Sequence, residues 1–84
     1  MTHPRYENAL SPAEAAGGGP VEAGVILVTV RVLQGGVWSD LPGTARGWRR
    51  GGVQPVWVDV HAGVGVTYPV WFRASDVRRR PEGT

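Results

Sequence analysis

The sequence predicts a small all-β domain in which five short strands curl into a barrel, and three observations carry that prediction. Valines alternate with other residues along three separate stretches, glycine-containing turns recur roughly every 8–12 residues, and no stretch has the spacing of an amphipathic helix. A chain of 84 residues has room for one such core and no second.

Residues 1–24, MTHPRYENALSPAEAAGGGPVEAG, hold almost no large apolar side chains, so they are read as a disordered arm that cannot offset the entropy of ordering. The stretch Ala13–Ala16 favours a helical turn that Gly17, Gly18, Gly19 and Pro20 stop at once. The barrel is assigned to residues 25–80, and residues 81–84 are read as a frayed tail.

In GVILVTVRVL, Ile26, Val28, Val30 and Val32 share one face, with Thr29 and Arg31 on the other, which predicts a half-buried first strand. Gln34, Gly35 and Gly36 supply its turn. Val37 and Trp38 then lead into SDLPG, where Pro42-Gly43 suits a type II turn. A second strand follows over about residues 44–49, and Gly47 within it marks a bulge. After a turn at Gly51-Gly52, residues 54–61 place Val56, Val58 and Val60 on one face and Trp57, Asp59 and His61 on the other.

The next run places Val64, Val66, Tyr68, Val70 and Phe72 opposite Thr67, Pro69, Trp71 and Arg73, and Pro69 suits an edge strand because it has no N–H for a ladder. Ser75 or Asp76 is placed to cap a single 3₁₀ turn near the carboxyl end, after which Val77 returns to the core. The predicted core is Ile26, Val28, Val30, Val58, Val60, Val66 and Val70.

All nine basic residues are arginine, and eight of them fall within residues 25–80 against Asp40, Asp59 and Asp76. That basic body favours anionic partners without naming one. Cysteine is absent, which excludes a disulfide framework and suits a reducing compartment. The longest apolar run falls well short of the ~20 residues of a membrane span, and the amino terminus lacks the order of a secretory signal, so the expected location is cytoplasmic, with no membrane partner.

Over about residues 25–80 the chain resembles the SH3-like barrel and its Tudor and KOW relatives. The resemblance rests on the long first strand, Trp38, the bent strand ending Gly47-Trp48-Arg49-Arg50, the strand Val56–Val60, and Trp71-Phe72 followed by Ala74-Ser75-Asp76-Val77-Arg78. The segment Gly43, Trp48, Arg49 and Arg50 is also similar to a G-x-x-x-W-R-R segment of short uncharacterised actinobacterial proteins, with one extra residue of spacing. The resemblance implies a binding module. The acidic first loop and tyrosine cluster of peptide-binding SH3 domains are missing, which argues against proline-rich ligands.

Strand parity sets Trp57 and Trp71 on the face opposite the valines, together with Arg31 and Arg73, and Trp48 joins them as a candidate protein-binding surface. An exposed strand edge offers a second route to a protein partner or to self-association. The alternative is a nucleic-acid-binding accessory protein in which Arg46, Arg49, Arg50, Arg78, Arg79 and Arg80 meet phosphates. Asp59 and His61 lie two apart on one strand face, but His3 is the only other histidine. The sequence therefore predicts no enzyme, no metal and no cofactor.

Overall fold

The computed structural model describes residues 6–63 and 65–80. Five strands, β1 (Val21–Gln34), β2 (Val37–Arg49), β3 (Pro55–Gly63), β4 (Val66–Arg73) and β5 (Val77–Arg79), form one antiparallel sheet in the order β4-β3-β2-β1-β5. β4 and β5 stand at the two edges and are not hydrogen-bonded to each other. A one-turn helix, α1 (Pro12–Ala15), precedes β1, and a 3₁₀ turn (Ala74–Asp76) joins β4 to β5. No helix among the described residues is long and apolar enough to cross a membrane.

The period-two pattern sorts side chains as the sequence predicts. Val28, Val30, Val58 and Val60 are buried, and Ile26 and Val70 pack half-buried against them. Each fully buried valine contributes on the order of 1.5–3 kcal/mol relative to exposure. The side chain of Val66 and the tail at residues 81–84 lie outside the described part. Val32, Ala45 and the fully buried Phe72 complete the strands' share of the core.

The segment read as a disordered arm is the main correction. Residues 1–5 lie outside the described part, but β1 begins at Val21, and residues 6–20 pack against the sheet. The Tyr6 ring sits 5.9 Å from that of Phe72 and is itself buried, so one aromatic supplies the apolar area that the segment's composition seemed to lack. Asn8 is buried as well: its Nδ2 donates to the Arg31 carbonyl at 2.7 Å, and its Oδ1 accepts from the Leu33 N–H at 2.9 Å. Beside it the Glu7 N–H donates to the Leu33 carbonyl at 2.7 Å. Since β5 pairs only with Val28–Val30, residues 7 and 8 take over that edge of β1 where β5 leaves off.

A second correction concerns Pro42-Gly43, which lie inside β2 and form no turn. Pro42 faces Thr29 on β1, and pairing with β3 starts only at Gly43, so that side of the ladder has no need of the missing N–H. Gly43 serves close packing: a Cβ there would lie 2.8 Å from Val58 Cγ1 and 3.0 Å from the Asp59 carbonyl oxygen. The hairpin turn is Gly35-Gly36, both with positive φ as a tight two-residue turn requires. Gly47 marks the bulge it predicted, a register shift between Ala45 and Gly47. The 3₁₀ turn has no side-chain cap from Ser75 or Asp76; Asp76 Oδ2 instead accepts from Asn8 Nδ2 at 3.1 Å.

Candidate functional site

Trp57 and Trp71 are direct partners across the β3–β4 ladder, and each alternates with a fully buried neighbour, Val58 and Phe72. Both rings are therefore directed away from the core. They are half-buried, 5.0 Å apart between centroids and tilted by 56°, within the range of favourable aromatic pairs. Two hollows share this pair as a wall. One, of about 440 Å³, is lined on its far side by Leu10, Pro12 and Ala15, with Pro69 and Arg49 along its length. The other, of about 220 Å³, is lined by Val21, Arg46 and Gly47.

The wall of the larger groove is set by local sequence. Ser11 caps α1: its Oγ accepts the Glu14 N–H at 3.2 Å, and Glu14 Oε1 accepts the Ser11 N–H at 3.1 Å, a reciprocal capping box. Pro12 occupies the first helical position, where its fixed φ favours the turn. Leu10 and Ala15, both buried, stand at the two positions of a hydrophobic staple. Two bonds fasten this turn to β4: Leu10 N–H donates to the Trp71 carbonyl at 2.9 Å, and Glu14 pairs with Arg73 at 3.1 Å. The Glu14 carboxyl is held below its usual value, first by the Ser11 backbone N–H, then by the Ser11 side chain, and more weakly by Arg73.

Arg49, the last residue of β2, reaches over this groove. Its Nη1 donates to the Gly19 carbonyl at 2.9 Å, and its guanidinium carbon lies 5.9 Å from the centre of the Trp71 ring. Its Nε is buried without an acceptor among the described residues.

The other candidate residues are dispersed. Trp48 is on the opposite face, paired with Val56 at the end of β2, and its ring fills the space that a Cβ on Gly24 would take. It lines separate hollows with Arg49, Arg50 and Gln54 on one side and Arg79 on the other. Arg31 does not join Trp57 and Trp71; it stacks on Trp38 at 4.1 Å, across the β1–β2 hairpin. Arg73 shares a strand and a face with Trp71 but is engaged by Glu14.

The arginines read as a phosphate-binding set form no single track. Arg46 pairs with Asp59 at 3.6 Å, Arg50 with Glu22 at 2.7 Å and Arg78 with Asp40 at 3.2 Å. Arg80 reaches the Gly43 carbonyl at 3.4 Å, and Arg79 has no partner among the described residues. Asp59 and His61 do not converge: Asp59 faces Arg46, and His61 Nε2 lies 3.2 Å from Thr44 Oγ1. Among the described residues no group of three potential metal ligands comes together.

Leu10, Pro12 and Ala15 are the site residues that the sequence reading missed. Ser11-Pro12-Ala13-Glu14 carried the signal for them, because a capping box with proline at its first helical position marks a helix start. Comparison with known proteins finds no matching family model, no matching curated relative and no matching solved structure.

Proposed function

We propose that the chain is a non-catalytic binding module of SH3-like architecture that holds an extended segment of a protein partner in the groove floored by Trp57 and Trp71. The architectural part is supported by the order β4-β3-β2-β1-β5 and by the 3₁₀ turn ahead of a short last strand that returns to β1. One observation carries the function: two tryptophans paired at 5.0 Å remain only half-buried against an apolar wall, in a groove of about 440 Å³. Burying the remaining ring surface is favourable, and tryptophans are frequent energetic centres of interfaces. Nucleic acid is the weaker reading, because Arg46, Arg50 and Arg78 are already matched by carboxylates.

Selection from a display library of random peptides, followed by binding measurements on Trp57→Ala and Trp71→Ala, tests the proposal. Enriched peptides should lose about tenfold or more in affinity with either variant. They should change little between about 50 and 200 mM salt, whereas binding of a single-stranded oligonucleotide that weakens steeply over that range transfers the function to nucleic acid.

A further inference from the structure

Arg49 is the only charged side chain among the described residues lining the Trp57–Trp71 groove; the other walls are Leu10, Pro12, Ala15, Ala16, Pro69, Val70 and the two rings. Among the described residues no carboxylate pairs with it. Arg46, Arg50, Arg73 and Arg78 each have a carboxylate within 4 Å, whereas among the described residues Arg49 has only the Gly19 carbonyl at Nη1 and the Trp71 ring beside it. Any occupant of the groove removes water from this guanidinium. An apolar occupant would leave the cation without a counter-charge in a drier environment, which is costly.

From this we infer that the groove selects a partner segment that sets one acidic side chain against Arg49, next to an apolar residue on Trp57 and Trp71. The inference rests on the groove being a binding site. A carboxylate matches the two terminal nitrogens of a guanidinium end-on. A dianionic phosphate finds no second cation in a groove walled by Leu10, Pro12 and Pro69. An acidic side chain and a chain-terminal carboxylate share this chemistry, and peptides blocked at both ends separate the two.

The test is a display selection of random heptapeptides, with hits resynthesised blocked at both ends, against the wild type, Arg49→Gln and Arg49→Lys. The wild-type consensus should contain Asp or Glu at a fixed offset from an apolar residue. Changing that acid to its amide should weaken binding about 10- to 100-fold. Arg49→Gln should abolish the preference for the acid while keeping the apolar one, and Arg49→Lys should keep the acid at lower affinity. A wild-type consensus without an acid, or an acid preference that survives Arg49→Gln, overturns the inference and leaves the binding groove standing. Failure to enrich any peptide dependent on Trp71 overturns the groove reading and the inference together. Selective binding of oligothymidylate lost with Arg49→Gln also overturns it. Melting curves of both variants exclude unfolding as the cause of lost binding.

Discussion

The Oδ1 of Asn8 accepts the backbone N–H of Leu33 at 2.9 Å, so part of the β1 edge is completed by a side chain instead of a strand. The same amide donates to the Arg31 carbonyl and to Asp76. One residue thereby ties the amino-terminal segment to β1 and to the 3₁₀ turn.

Replacing Asn8 by alanine removes three hydrogen bonds at a buried position and leaves the edge groups of Arg31 and Leu33 without that partner. The expected loss is about 2–3 kcal/mol, which in a domain of this size lowers the melting temperature by about 10–20 °C. Asn8→Asp should be worse at neutral pH, because a carboxylate would then face the Arg31 carbonyl and the Asp76 carboxylate, and acidification should recover part of the loss. Thermal denaturation of both variants checks the prediction.

Strand parity was legible because burial on one face of a strand leaves a period of two, and Val28, Val30, Val58 and Val60 fall in the core accordingly. The same parity turned Trp57 and Trp71 outward together. What could not be read depends on contacts distant in sequence. Tyr6 finds Phe72 across the molecule, and the segment carrying it is too poor in apolar residues to announce a core role. Arg31 meets Trp38 only once the Gly35-Gly36 turn sets the hairpin register, with Leu33 opposite Trp38 and Arg31 opposite Asp40. Pro42-Gly43 resembles a turn by composition, and only the end of β3 pairing and the crowding by Val58 give it another meaning.

That crowding predicts the effect of Gly43→Ala. The added methyl would meet Val58 Cγ1 at 2.8 Å and the Asp59 carbonyl at 3.0 Å, and the backbone of β3 cannot yield as a side chain tip can. Overpacking of this kind costs about 1–3 kcal/mol. Gly35→Ala offers a contrast, since nothing lies within 4 Å of its Cβ position and its cost arises from positive φ alone. Restoring room with the double variant Gly43→Ala/Val58→Ala should recover less than the single losses imply, because the Asp59 carbonyl still obstructs the methyl. Denaturant unfolding of Gly35→Ala, Gly43→Ala, Val58→Ala and the double variant separates these terms.

The adjacent residues Trp71 and Phe72 should respond oppositely in stability and in binding. Phe72 is fully buried, and truncation to alanine should cost about 3–5 kcal/mol, a large share of the stability available to a small domain. Trp71 is half-buried on the other face, and Trp71→Ala should cost about 1–2 kcal/mol while abolishing the groove. Should Trp71→Ala fail to fold, the ring is a core residue and the groove reading is lost. Melting curves recorded alongside peptide binding decide between the two.

Acid and alkali should each loosen the amino-terminal segment, at opposite ends. Glu14 has a folded pKa below the ordinary 4.5, with the Ser11 backbone N–H as the largest cause, so its contribution is fully present above about pH 4.5 and is lost as pH falls through the folded value. The Ser11 amide proton, held by the Glu14 carboxylate, should move with a midpoint below 4.5, and Glu14→Gln should remove that titration. Tyr6 behaves in reverse. Burial first, and the charge of Tyr68 second, raise its pKa above the ordinary 10.0, since an ionised phenol in that setting is disfavoured. Its contribution is therefore fully present below about pH 10 and is lost as pH rises through the folded value. Tyr6→Phe keeps the ring against Phe72 and has no proton to release, so the variant should hold its melting temperature further into the alkaline range than the wild type. A variant that melts in parallel with the wild type above pH 10 would place the alkaline transition at another group and detach Tyr6 from it.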